Sequence, residues 1–248
     1  MTARVLILGG TGEARRLAEE LVARPGLRVL TSLAGRTETP ALAGEVRVGG
    51  FGGADGLADW LRDNPVAAIV DATHPFAERI SASAASAAGR LDIALLALRR
   101  AAWTPEPGDD WRWVDSLEQA AALLPAAGRR VFLSIGRQGL AAFAGVTGGW
   151  FLARCVQPPE SPLPPHCQLL LDRGPYTVDG EVALLRRYRI DLMVSKDSGG
   201  AQTEAKLIAA RHLSLPVVLV ARPTPDDTVS AVETVPAAVA WLDRVLAR

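Results

Sequence analysis

Residues Val5-Leu6-Ile7-Leu8 form an unbroken apolar run that gives way to Gly9-Gly10-Thr11-Gly12 and then to a helical pattern opened by Glu13 and Ala14. An apolar run without polar alternation is a strand buried on both faces, which is the habit of parallel sheets. Gly9, Gly10 and Gly12 permit a tight turn and let the main chain approach a ligand with no Cβ in the way. The helix that follows, to about Arg24, aims its unpaired N–H groups and the positive end of its dipole at that turn. Strand, glycine turn and helix in this order suit the diphosphate of a dinucleotide. The strict G-x-G-x-x-G/A spacing is not met, because its third small position falls on Arg15. Gly9-x-x-Gly12 is the looser form, with Ala14 small enough for close helix–strand packing.

The alternation continues along all 248 residues. Strands are expected at Arg4–Leu8, Arg28–Ser32, Glu45–Val48, Ala67–Ala72 and Ile93–Leu98, with helices near 12–24, 54–63 and 76–89. A polar, proline-containing break follows, from Trp103 to Asp110. Beyond it, strands are expected at Arg130–Ile135, Trp150–Val156, Leu169–Leu171, Asp191–Ser195 and Pro216–Val220, and helices near 116–126, 137–144, 178–188, 203–213 and 235–247. The pattern predicts an α/β protein of two Rossmann-like domains, residues 1–102 and 111–248, with mostly parallel sheets facing each other across a cleft. The first domain would hold a cofactor and the second a substrate, with ligands at the strand C-termini.

Charge excludes some partners. Basic and acidic residues number 27 each, and no basic stretch carries interleaved aromatics, so nucleic acid is not an expected partner. No apolar run reaches membrane-spanning length, so no membrane partner is expected either. The two cysteines, Cys155 and Cys167, form no C-x-x-C pair, and no histidines stand at metal-ligand spacing. A reduced, cytoplasmic protein without a metal site is expected, since the first strand begins by residue 4 with no charged-then-apolar leader ahead of it. Oligomeric state stays open. Of the 27 basic residues only Lys196 and Lys206 are lysines, which singles out the segment that contains both.

Four strand ends carry candidate chemistry. After the second strand, Ser32 stands where NAD-preferring folds place an acidic residue for the ribose hydroxyl, and Arg36 and Thr37 follow. That pattern suits a 2′-phosphate and hence NADPH. The fourth strand ends in Asp71-Ala72-Thr73-His74-Pro75-Phe76-Ala77. His74 would approach the nicotinamide and give a hydrogen bond or proton, or serve, like Thr73, as a helix cap. In the second half, Ser134-Ile135-Gly136-Arg137 repeats the strand–glycine–helix theme, and Arg137 suits an anionic substrate group. Finally, Ser195-Lys196-Asp197-Ser198-Gly199-Gly200 sets costly polar groups between a strand and a helix, which favours a ligand-facing loop. Tyr-x-x-x-Lys is absent, because Gly180 and Leu192 occupy the position four residues after Tyr176 and Tyr188, and no phosphate-loop Gly-Lys-Ser/Thr occurs.

Taken together, Ile7-Leu8-Gly9-Gly10-Thr11-Gly12-Glu13-Ala14, the D-A-T-H-P-F-A strand end, Ser134-Ile135-Gly136, and K-D-S-G-G followed by Thr203-Glu204-Ala205-Lys206 resemble the precorrin-6A reductase family. The resemblance spans essentially the whole chain. It implies an NADPH-dependent step of corrin-ring biosynthesis in which one macrocycle double bond is reduced to give precorrin-6B, with a cobalt-carrying substrate in the anaerobic route. A flat tetrapyrrole polycarboxylate would then lie near His74, Arg137 and the Lys196–Gly200 loop. His74, Lys196 or water would supply the proton. The competing readings are a reductase of a small carbonyl compound and a non-catalytic NADP sensor.

Overall fold

The computed structural model describes residues 2–34, 42–124, 128–224 and 226–247. They fall into two compact units, Met1–Ala101 joined by Pro223–Arg248, and Ala102–Arg222.

In the first unit a six-stranded sheet runs in the order β12-β5-β4-β1-β2-β3. The strands, numbered in chain order, are β1 (Ala3–Leu8), β2 (Leu27–Leu33), β3 (Glu45–Val48), β4 (Ala68–Asp71), β5 (Ala94–Leu98) and β12 (Ser230–Val232). Their pairings are parallel. Parallel pairing leaves no room for hairpins; helices follow β1, β3 and β4, and both sheet faces are covered. Helices α1 (Gly12–Val22) and α7 (Val235–Leu246) pack on one face through Leu17, Leu21, Ala238 and Leu242. On the other face, α2 (Gly53–Asp63) and α3 (Glu78–Leu91) bury Leu57, Leu61, Ala84 and Ala87.

The second unit repeats this plan with the order β6-β11-β10-β7-β8-β9. Its strands are β6 (Trp111–Val114), β7 (Arg129–Ser134), β8 (Gly149–Cys155), β9 (Cys167–Leu171), β10 (Leu192–Lys196) and β11 (Val217–Val220), again paired in parallel. Helices α5 (Val178–Arg187) and α6 (Ala205–His212) close one face over Phe132, Leu152, Met193 and Leu219. Helix α4 (Leu117–Ala122) lies beside a 3₁₀ segment, Arg137–Phe143.

Three expectations change. The second domain does not run to residue 248. The stripe Val235, Ala238, Val239 and Leu242 recurs at helical spacing and is buried against β1 and α1 of the first unit. Three residues of β12 extend that unit's sheet beside β5. The helix expected at 137–144 is 3₁₀, because Gly139 lowers α propensity and is pressed close, a Cβ there lying 2.9 Å from Leu117 Cδ1. Helix α3 begins at Glu78, and Pro75 lies instead in a turn closed by the Ala77 N–H on the His74 carbonyl at 2.8 Å. Strands β6 and β12, short edge strands of four and three residues, are additions to the sequence reading.

Candidate active site

The order of the first sheet reverses between β1 and β4, since β2 and β3 extend one way and β5 and β12 the other. Such a switch point leaves a crevice at the strand C-termini, where open α/β sheets bind ligands. A recess lies there, lined by Thr11 and Glu13 after β1, Thr73 and Pro75 after β4, and Leu98, Arg99 and Arg100 at the end of β5. It is a shallow recess and encloses no cavity of its own.

The glycine turn is built by two different constraints. A Cβ on Gly9 would stand 2.8 Å from Thr31 Cγ2, and the Gly9 N–H bonds the Ser32 carbonyl at 2.9 Å, so the turn is pressed against β2. Gly10 has φ +120° and nothing within 4 Å of where a Cβ would stand. The first glycine serves packing, and the second leaves a bare backbone facing open space. The Thr11 hydroxyl then works in both directions. It accepts the Ala14 N–H at 3.1 Å, capping α1, and donates to the Ala72 carbonyl at 2.7 Å, tying the turn to the end of β4. Replacing Thr11 by valine keeps the shape and removes both bonds. The expected cost is about 1–2 kcal/mol, read as a lower midpoint in chemical denaturation.

Charge around the recess is paired. Glu13 is 8% exposed; its Oε2 accepts from Arg100 at 2.9 Å and its Oε1 from Arg16 at 3.0 Å. Asp71 is 3% exposed; its Oδ1 accepts the Thr73 hydroxyl at 2.6 Å and the Thr73 N–H at 3.1 Å, and its Oδ2 pairs with Arg99. Arg99 also donates to the Asp71 carbonyl at 3.0 Å and to Ser81 Oγ at 2.9 Å. Burial by itself would raise the Asp71 carboxyl, but the hydrogen bond and charge of Arg99, with Thr73 and Ser81, outweigh it and hold the carboxyl below its ordinary value. Thr73 therefore braces Asp71 and does not cap α3. His74 Nδ1 accepts the Phe76 N–H at 3.2 Å, so a proton given by the neutral ring would leave from Nε2.

Of the expected cofactor residues, Gly9, Gly10, Thr11, Glu13 and Thr73 lie at this crevice, with Gly12 and Ala14 opening α1. Ser32 sits at the end of β2, 6% exposed, its carbonyl engaged by Gly9. Arg36 and Thr37 lie outside the described residues. An open glycine backbone, a helix N-terminus and two flanking arginines suit an anionic dinucleotide.

In the second unit the expected site residues gather at the C-terminal end of β10. Lys196 is its last residue and half-buried. Asp197, expected to face substrate, is 3% exposed and engaged inside the protein. Its Oδ1 accepts the Trp103 N–H at 3.3 Å, and its Oδ2 lies 3.1 Å from Arg222 Nε. The Ser198 N–H bonds the Lys196 carbonyl at 2.7 Å. Gly199 and Gly200 follow at φ +63° and +73°, two successive left-handed residues that only glycine takes without strain. Arg137, half-buried, heads the 3₁₀ segment after Gly136 and not an α-helix N-terminus. Burial pushes the Cys155 thiol up, with Cys167 adding to it against Arg137. Both cysteines are free. Raised thiols of this kind are poor nucleophiles.

The sequence reading missed Asp71, Arg99, Arg100, Trp103 and Arg222 as site residues. A signal was present at the first three: an aspartate ending an apolar run, and two arginines directly after another.

The model for "Precorrin-6x reductase CbiJ/CobK" matches residues 4–243. A "Precorrin-6A reductase" of Rhodococcus erythropolis is 53% identical over 246 residues, 99% of this chain and 99% of the relative. A "Cobalt-precorrin-6A reductase" of Priestia megaterium is 29% identical over 237 residues, 88% of this chain and 90% of the relative. A solved structure, "CobK precorrin-6A reductase", superposes with a TM-score of 0.91 at 45% identity, covering 98% of this chain and 97% of that one. Agreement of this extent in both sequence and fold leaves one conclusion: this chain belongs to the precorrin-6x reductase family.

Proposed function

We propose that this chain reduces one double bond of the metal-free precorrin-6A macrocycle with NADPH, giving precorrin-6B. The observation that carries the reading is the bare Gly10 backbone at the switch-point crevice, in a chain that matches a reductase family from residue 4 to 243. Identity of 53% to a relative named for the metal-free substrate, against 29% to one named for the cobalt form, favours the metal-free compound.

A bound reduced nicotinamide supplies the hydride. The chain's own residues bind and orient. Gly9, Gly10 and the first turn of α1 receive the diphosphate, and Ser32, with no carboxylate at the end of β2, leaves room for a 2′-phosphate held by Arg36 and Thr37. His74, through Nε2, and Lys196 are the groups for proton delivery. Arg137, Ser198, Gly199 and Gly200 offer side-chain and backbone donors to substrate carboxylates, while Asp197 holds that loop from within. Positioning is the main contribution, because a conjugated imine system accepts hydride without a covalent nucleophile.

The test mixes purified protein with NADPH and precorrin-6A and follows the nicotinamide and tetrapyrrole absorbances together. Equimolar loss of both is expected. Turnover of the cobalt compound alone would reassign the substrate, and NADPH binding with no turnover of either would leave a sensor. Replacing Arg36 by alanine is expected to raise the dissociation constant for NADPH about tenfold or more, with NADH nearly unchanged. Equal losses for both cofactors would remove the 2′-phosphate role.

A further inference from the structure

Arg99 and Arg100 in the first unit and Trp103 in the second are each tied to loops of their own unit that carry the proposed chemistry. Arg99 grips Asp71, the Thr73 carbonyl at 3.3 Å and Ser81, and so holds the turn that presents His74. Arg100 holds Glu13, in the first turn of α1 behind the glycines. Trp103 is bound by the Lys196–Gly200 loop at both of its N–H groups, the backbone on Asp197 and Nε1 on the Gly200 carbonyl at 3.3 Å. The Lys206 ammonium stands 4.8 Å from the centre of the Trp103 ring and donates to the Thr203 carbonyl at 2.9 Å. Thr203 in turn donates to the Gly199 carbonyl at 3.0 Å. The only two lysines of the chain thus begin and end the segment built around this tryptophan. A compact ammonium can meet a carbonyl and a ring face in a space too narrow for a planar guanidinium.

We propose that Arg100 and Trp103 are positioning residues of the reductase. Arg100 acts on cofactor binding through Glu13, and Trp103 acts on turnover through the Lys196–Gly200 loop. The inference rests on the NADPH-dependent reading given above. For Arg100 the reason is electrostatic. A carboxylate in the first turn of α1 stands beside the place where a diphosphate must dock, and unneutralised it repels that ligand. Arg16, 60% exposed, is a weak counter-charge, whereas Arg100 is 13% exposed. For Trp103 the reason is geometric. Gly199 and Gly200 have no side chains to restrain them, so the indole N–H on the Gly200 carbonyl fixes the backbone that continues from Lys196.

The test separates binding from turnover. NADPH is titrated into substrate-free protein by nicotinamide fluorescence, and kcat and KM are then measured with precorrin-6A. Arg100→Gln is expected to raise the NADPH dissociation constant about tenfold, with Arg100→Lys recovering most of it. Adding Glu13→Gln to Arg100→Gln is also expected to restore affinity, because the repelling charge is gone. Trp103→Phe keeps an aromatic ring beneath Lys206 and loses the indole N–H together with part of the buried ring. It is expected to lower kcat about five- to tenfold with NADPH affinity unchanged. Wild-type affinity in Arg100→Gln, or a Trp103→Phe variant with unaltered kcat, overturns the proposal while the reductase reading stands. A wild-type protein that fails to bind NADPH overturns both.

Discussion

Replacing Glu181 by alanine should destabilise the second unit by about 3–5 kcal/mol, measured by chemical denaturation followed by tryptophan fluorescence, to which that unit contributes four of the six tryptophans. Glu181 and Arg154 form a bidentate pair whose side chains are 3% and 5% exposed. The Arg154 guanidinium also lies 3.7 Å from the centre of the Tyr176 ring and 5.0 Å from that of Phe132. Remove the carboxylate and a permanent cation is left among aromatic faces, which offset only part of its lost hydration. Replacing both members, Arg154 by methionine and Glu181 by leucine, is expected to cost far less than the single change, because no charge is then stranded. If the double variant is as unstable as the single one, packing and not charge is what the pair supplies. The pair sits on β8 and α5 of the second unit, whereas the loops assigned to the cofactor belong to the first, so the residual folded protein should keep its NADPH affinity.

Changing Asp71 to asparagine should cost about 2–3 kcal/mol at neutral pH and also lower turnover. The cost is smaller than for Glu181 because Arg99 is 23% exposed and recovers some hydration. Its dependence on pH identifies the cause. Asp71 is held below its ordinary value of 3.8 by Arg99 and Thr73 against the opposing effect of burial. A depressed carboxyl contributes stability that is present above the unfolded value and lost as pH falls through the folded one. The gap between wild type and variant should therefore be widest at neutral pH and shrink as acid protonates the aspartate in both states. A gap that stays constant down to about pH 3 would mean that shape, not charge, is at stake. Turnover should fall because Asp71 fixes Thr73, next in sequence to His74. Substrate-free NADPH affinity should change less than kcat, since Glu13 is held by Arg100 and Thr11 caps α1 through the Ala14 N–H.

How legible the site was depended on the range of the interactions that make it. Local chemistry was plain in the order of residues. Apolar runs without alternation became parallel strands within one or two residues, and Glu45–Val48 matched its strand at both ends. The K-D-S-G-G run marked a loop between strand and helix, and in it Gly199 and Gly200 take left-handed conformations that few other residues enter. The start of α3 misled: expected near 76, it falls at Glu78, with Pro75 in the turn before it. The segment 137–144 misled too, because periodicity cannot report that Gly139 is pressed against Leu117.

By itself the sequence determined the fold class, the dinucleotide-type turn at Gly9–Gly12, the D-A-T-H-P and K-D-S-G-G loops, and the family. Each is a contiguous run whose backbone geometry or chemistry is set by near neighbours. Only the tertiary structure decided that α7 and β12 complete the first unit, that Asp197 faces inward to Trp103 and Arg222, and that Arg99 and Arg100 hold the site's two buried carboxylates. In those cases the partners stand between 25 and well over 100 residues apart. A polar residue shows in sequence that it needs a partner, but which partner it meets is fixed only when the strands find their order.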